Sequence, residues 1–128
     1  MLRIGVVGAG GMGGAHSGHW LEMPNVELAA VADIRPEHAE EFARTRGIPK
    51  AFGSLQEMLD GAELDAVDIC VPTPWHKELA VTAAAAGKHV CCEKPMARTL
   101  SDCRAMIEAC DTYYSQCKGR KPQNVPDR

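Results

Sequence analysis

The sequence predicts an α/β fold: a doubly wound parallel sheet of about five strands with helices on both faces. Short apolar runs alternate with helix-compatible segments along the chain, and the first run enters a glycine turn, Gly8-Ala9-Gly10-Gly11-Met12-Gly13-Gly14, that opens a helix. Parallel neighbours need helical crossovers of fixed hand, so this alternation implies a covered sheet. The 128 residues are 45% hydrophobic and 24% charged, an ordinary globular composition that excludes collagen, a coiled coil and disorder throughout. A chain of this length buries about two-thirds of its unfolded surface and needs no disulfide or metal staple.

Residues 2–7 form the first strand, and the segment after the glycines stays helix-compatible to Met23. Pro24-Asn25 breaks it, and Val26 to Ala32 reads as a second strand ending at Asp33. Pro36 suits a first helical turn, Glu37, Glu40 and Glu41 its positive end, and Ala39, Phe42 and Ala43 an inner stripe that stops at Gly47. The third strand is confined to Lys50-Ala51-Phe52, followed by a capping box, Ser54 with Glu57, before a short helix ending near Gly61. Residues 66–71 are the fourth strand, closed by Pro72-Thr73-Pro74, after which Trp75 to Ala86 is an alanine-rich helix closed by Gly87. His89-Val90-Cys91-Cys92 is the fifth strand. Leu100, Cys103, Ile107, Cys110, Tyr114 and Cys117 then recur at helical spacing, in a helix extending as far as Lys118-Gly119. The expected organisation is one domain over residues 1–117 and a disordered polar tail over 118–128, where Val125 is the single aliphatic side chain.

Residues 1–110 carry 10 Lys and Arg against 15 Asp and Glu, and residues 111–128 carry 4 against 2. A mildly acidic body with a slightly basic end gives no reason to expect nucleic acid or a membrane surface as partner. No apolar run approaches the roughly 18 residues of a membrane span, and the glycines after Val7 leave no signal-peptide pattern, so the expected compartment is the cytoplasm. Six cysteines without any C-x-x-C pair read as buried, reduced thiols rather than a disulfide or zinc framework. Cys103, Cys110 and Cys117 stand about 10 Å apart in steps along a helix, too far for a shared metal. No metal is expected: His16 and His19 lack an evident third ligand and read as packing or surface residues, and Asp68 as a hydrogen-bonded structural acid.

Gly8, Gly10 and Gly13 follow a strand and open a helix, and Asp33 lies twenty residues after Gly13 at the end of the next strand. That context makes this G-x-G-x-x-G a dinucleotide signature. Gly8 permits the tight turn, Gly10 lets backbone approach a pyrophosphate, and Gly13 lets helix and strand pack closely. The helix start at Gly11 and Met12 supplies amide donors and a positive partial charge. Asp33 would accept hydrogen bonds from the adenosine ribose and repel a 2′-phosphate, which favours NAD. Arg35 keeps NADP open, since it can stack on adenine, meet a 2′-phosphate, or stand as a solvated charge at a helix start.

Gly8 to Gly13, Val31-Ala-Asp33, Asp65 to Pro74, His76 and above all Ala86-Gly-Lys-His-Val-Cys-Cys-Glu-Lys-Pro95 together resemble the N-terminal half of the Gfo/Idh/MocA oxidoreductases, the glucose-fructose oxidoreductase and inositol dehydrogenase family. The match covers residues 2 to about 110. The resemblance implies a Rossmann-type domain whose Glu93-Lys94-Pro95 turn faces the nicotinamide and the substrate. It assigns Lys94 the catalytic role of binding the reacting hydroxyl or carbonyl, and places Pro72, Thr73, Pro74 and His76 along the cofactor. Lys94 alone reads as a solvated strand-end lysine, and His76 equally as a helix-start histidine. Trp75 is given no role beyond shielding the nicotinamide. The implied activity is NAD(P)-dependent oxidation of a hydroxyl on a sugar, polyol or related compound.

Relatives of this type continue with a sixth strand, a G-H-x-x-R-type turn and a second domain, and residues 111–128 do not resemble them. The resemblance places the acid-base histidine, most substrate contacts and the oligomer face in that second part. The expectation is therefore a chain truncated or frame-shifted before the second domain, binding dinucleotide without useful turnover and meeting a small-molecule substrate only if that domain is supplied. Homo-oligomer formation stays open, with the last sheet edge uncovered. A stand-alone dinucleotide-binding or regulatory module is the alternative of a different class. An S-adenosylmethionine-dependent methyltransferase fits Asp33 and Glu93-Lys94-Pro95 less well.

Overall fold

The structure, a computed structural model, describes residues 1–116. The expected polar tail, the domain boundary at 117, Cys117 and the end of the last helix at Gly119 lie outside the described residues. Five strands, β1 (Leu2–Val7), β2 (Val26–Ala32), β3 (Lys50–Phe52), β4 (Ala66–Ile69) and β5 (His89–Cys92), alternate with helices α1 (Gly11–Glu22), α2 (Pro36–Arg46), α3 (Leu55–Gly61), α4 (His76–Ala85) and α5 (Leu100–Gln116). The sheet order is β3-β2-β1-β4-β5, every pair parallel. The order reverses at β1, where one crossover leads to β2 and the later one to β4, so the carboxyl ends of β1 and β4 flank the crevice in which open α/β sheets hold ligands.

The strand period of two explains both layers once the register shift between Ile4 and Gly5, which leaves Ala29 as an extra residue of β2, is included. Ile4, Val6, Leu28 and Val31 point to one side and pack with Phe42, Ala43 and Ile48. Val7, Ala30, Ala32, Val67 and Ile69 face the other and meet Leu55, Met58, Ala80, Ala83 and Met106 from α3, α4 and α5. Burial on both faces is why these strands read as nearly continuous apolar runs.

Local signals set the helix ends. Gly47, at φ 69°, terminates α2 in the left-handed conformation, with the Ile48 amide donating to the Ala43 carbonyl at 2.9 Å. Ser54 Oγ accepts from the Glu57 amide at 3.1 Å, while Glu57 Oε2 accepts from Gly53 N at 3.0 Å, one residue earlier than the usual reciprocal bond. Thr73–Trp75 forms a single 3₁₀ turn, so α4 begins at His76 rather than Trp75. Pro74 has no N–H to donate, and the Trp75 amide closes the tighter turn onto Pro72 O at 3.1 Å.

The expectation of buried thiols is corrected at the sheet edge. Cys70, Cys91 and Cys92 are free, but Cys91 is exposed and the other two are half-buried. Val90 and Cys92 pack under α4 and α5, which turns His89 and Cys91 of this edge strand to the opposite, less covered face.

Ser17 of α1 is fully buried, and its Oγ has no hydrogen-bond partner among the described residues. A desolvated hydroxyl without a partner is destabilising, so Ser17→Ala is expected to raise stability by about 1 kcal/mol. The check is a urea titration, in which the midpoint should rise at unchanged slope; a lower midpoint would show that the hydroxyl has a partner.

Candidate dinucleotide-binding site

β1 delivers the chain to Gly8, whose φ of 109° suits glycine and where an added Cβ would lie 2.5 Å from the Cys70 carbonyl oxygen. At Gly13 a Cβ would run into the Gly8 carbonyl oxygen, so β1 and α1 come this close only because neither position carries a side chain. Gly10 and Gly11 are the opposite case: a Cβ there meets nothing within 4 Å. The loop is tight where it touches protein and open where it faces outward. Gly10 caps α1 without a side-chain bond, and the first intrahelical bond runs from the Gly14 amide to Gly10 O at 2.9 Å. The amides of Gly11, Met12 and Gly13 precede it, at the positive end of the helix dipole, and have no helix carbonyl to serve. An anion fits this terminus.

Asp33, 8% exposed, stands at the end of β2 beside this loop. Its Oδ2 accepts from the Ala9 amide at 2.9 Å, and its Oδ1 accepts from the Arg35 amide at 2.9 Å and from Arg35 Nε at 3.2 Å. Burial opposes its ionisation, but the Ala9 and Arg35 amides and then the Arg35 guanidinium outweigh that, holding the carboxyl below its ordinary value. Arg35 thus lies on the acid, not free of it. Together with Ala9, Gly10, Gly11 and His38 it lines an open cleft of ≈ 530 Å³ between the glycine loop and α2.

Across the switch point, Pro72, Thr73 and Pro74 follow β4, with both prolines exposed. His76 is 1% exposed and does not open onto the cleft: its Nε2 faces Val71 O at 2.7 Å, and its Nδ1 faces Pro95 O at 3.0 Å and Met96 O at 3.2 Å. It ties the turn after β4 to the turn after β5. Glu93 is half-buried, and Lys94 and Pro95 are exposed. Alternation sends Glu93 to the α1 side, while Lys94 lines a groove with Cys92, Met96, Met106 and Ile107 on the α5 side.

Sequence reasoning gave His16 no part in the site, yet its ring lies between two carboxylates. Nδ1 is 2.8 Å from Asp68 Oδ2 and Nε2 is 2.6 Å from Glu93 Oε2. Asp68 is fully buried, as expected of a structural acid, and its Oδ2 also accepts from Trp20 Nε1 at 2.8 Å. The legible signal was parity: residues 68, 70, 91 and 93 alternate onto one face of neighbouring strands in register, Asp68 opposite Cys91. The pair weighed in the sequence, His16 with His19, is not the cluster that forms: His16, Asp68 and Cys70 bring their side-chain heteroatoms within 4.8 Å of one another. These atoms already bond one another, with Cys70 Sγ 3.3 Å from His16 Nδ1 and 3.5 Å from Asp68 Oδ1. Burial and then the charge of Asp68 push the Cys70 thiol up, away from a metal-binding thiolate.

A glycine loop at a helix start, an acid at the end of the next parallel strand and an open cleft between them define a dinucleotide-binding domain. The family model described as "Oxidoreductase family, NAD-binding Rossmann fold" (Gfo/Idh/MocA) matches residues 2–118, and the chain belongs to that family. It is 38% identical over 116 residues to levoglucosan dehydrogenase of Pseudarthrobacter phenanthrenivorans, covering 84% of this chain and 30% of that protein. It is 36% identical over 107 residues to myo-inositol 2-dehydrogenase of Thermotoga maritima, covering 84% and 32%. The WlbA dehydrogenase of Bordetella pertussis, solved with NADH and UDP-GlcNAcA, superposes with a TM-score of 0.84 at 33% identity, over 88% of this chain and 35% of that one. The chain spans about a third of the length of these relatives.

Proposed function

We propose that this chain holds NAD for a dehydrogenase that oxidises a hydroxyl of a sugar, polyol or related compound, with the substrate-binding part lying outside these 128 residues. The observation that carries the reading is the Asp33 carboxylate, bonded to the Ala9 amide of a glycine loop whose Gly10 and Gly11 face open space. A ribose diol fits as hydrogen-bond donor to Asp33, and a pyrophosphate fits against the Gly11 and Met12 amides. Asp33 disfavours a 2′-phosphate by charge, and its pairing with Arg35 leaves that guanidinium committed. NAD, when bound, would take up the hydride from the carbon bearing the hydroxyl, whose proton would pass to a base in the substrate-binding part. The remaining roles belong to the chain: Pro72, Thr73 and Pro74 wall the nicotinamide end, His76 fixes that wall to Pro95, and Glu93 orients the turn. Lys94 hydrogen-bonds the reacting oxygen and offsets its charge.

The names of the relatives, dehydrogenases of levoglucosan and myo-inositol, support a polyhydroxylated substrate. No described helix is long and apolar enough to cross a membrane. The free thiols suit a reducing cytoplasm, and the open β5 edge suits self-association. The test is titration of the chain with NADH and NADPH. NADH is expected to bind at least about tenfold more tightly, the range of one charged hydrogen-bond partner. Tighter NADPH binding would overturn the cofactor assignment, and response to S-adenosylmethionine alone would overturn the class.

A further inference from the structure

We propose that His16 is a positioning residue, a clasp that joins the dinucleotide-binding helix α1 to the Glu93–Lys94 turn and holds that turn at the nicotinamide end of the site. This rests on the reading above for what the turn does, but the clasp itself stands on geometry. His16 lies on α1 three residues after Gly13, one turn beyond the amides that receive the phosphates. Its Nδ1 reaches Asp68 Oδ2 at 2.8 Å and its Nε2 reaches Glu93 Oε2 at 2.6 Å. Carboxylates only accept, so both ring nitrogens donate, and the ring that satisfies both is the imidazolium.

The two arms differ in kind. Asp68 is fully buried and is also held by Trp20 from the same helix, so the inner arm anchors the ring. Glu93 is the movable arm: its second oxygen, Oε1, accepts from the Lys94 amide at 3.1 Å. Asp68, His16, Glu93 and the Lys94 amide therefore form one hydrogen-bonded chain, running from the sheet interior to the residue assigned to the reacting oxygen.

Burial of the ring opposes its charging, but the bonds and charge of Asp68 and then of Glu93 outweigh that, raising His16 above its ordinary value of 6.5. The titratable groups around it are Asp68 of β4, Cys70 just after that strand, Cys91 of β5, which sits beside Asp68, and Glu93 from the turn, while the Lys94 side chain lies on the α5 side. Burial pushes both thiols up, and the Lys94 amide holds Glu93 down, so neither changes charge alongside His16. With the folded value raised, the clasp is complete below about pH 6.5 and is lost as pH rises through the folded value.

The experiment follows the ring nitrogens of His16 and the backbone amide of Lys94 by NMR on the 128-residue chain from pH 6 to 9, with calorimetric titration of NADH and of ADP-ribose across the same range. The Lys94 amide should titrate with the pKa of His16. ADP-ribose affinity should stay level while the NADH to ADP-ribose ratio falls about 5- to 10-fold at high pH. His16→Gln should remove the Lys94 response and fix the ratio at its low value. His16→Arg, whose guanidinium donates to both carboxylates at every pH, should keep the high ratio and lose the pH dependence. Should His16→Gln unfold, Glu93→Gln breaks only the outer arm and should lower the His16 pKa and uncouple the Lys94 amide. A Lys94 amide indifferent to His16, or a constant ratio with both ligands binding, overturns the clasp. Failure of both ligands to bind while the amide still follows His16 overturns the dinucleotide reading and leaves the clasp standing.

Discussion

Gly13→Ala is expected to destabilise the fold by about 3 kcal/mol, the upper part of the range for overpacking, and to abolish dinucleotide binding. The added Cβ would run into the carbonyl oxygen of Gly8, a backbone atom that cannot rotate aside. Gly8 is itself hemmed in by the Cys70 carbonyl and pinned by its amide, which donates to Ala32 O at 2.8 Å. Relief therefore requires α1 to lift from β1, which moves the Gly11 and Met12 amides away from any phosphate. Urea unfolding and NADH titration of the same variant measure the two effects. Gly10→Ala is the matched control: its Cβ enters open space, so stability should change little while NADH affinity falls because the methyl occupies the approach to the pyrophosphate. Wild-type stability in Gly13→Ala would show that strand and helix are not held at contact distance by these two glycines.

Asp33→Ala is expected to lower NADH affinity by about 10- to 100-fold, the effect of removing a charged hydrogen-bond partner. Two losses combine. The ribose loses its acceptor, and the Ala9 amide and Arg35 lose the carboxylate that organises the loop end and the start of α2. Arg35 Nε, released from its 3.2 Å contact, becomes available to a 2′-phosphate, so NADPH binding should weaken less than NADH or improve. An unchanged NADH to NADPH ratio in Asp33→Ala would remove Asp33 from cofactor choice. The same bonds set an acid dependence. Because the folded carboxyl is held below its ordinary value of 3.8, its stabilisation is present above about that pH and is lost as pH falls through the folded value.

The five strands were legible because each is apolar, short and bounded by glycine, proline or a charged end, and even the three-residue β3 lies at Lys50–Phe52 as read. The glycine loop and Asp33 were legible because they depend on backbone conformation and short sequence separation, which a spacing pattern records. The turn after β4 was less so, since the 3₁₀ geometry at Thr73–Trp75 depends on where Pro74 withholds its amide. Cys91 was misread as buried because apolar character gives no information on which sheet face lies at an uncovered edge.

His16 and His76 show the remaining difference. Both ring nitrogens of His16 reach residues distant in sequence, 52 and 77 positions away, and Nδ1 of His76 reaches Pro95 and Met96, 19 and 20 positions away. The sequence by itself determined the succession of strands and helices along the chain, the glycine loop and the position of Asp33 at the end of the second strand, because those follow from local conformational preference and periodicity. Only the tertiary structure decided that Arg35 rests on Asp33, that His76 bolts two turns together and that His16 spans two carboxylates. Side-chain hydrogen bonds between separate strands and helices exist only once the sheet register has brought their partners to one face.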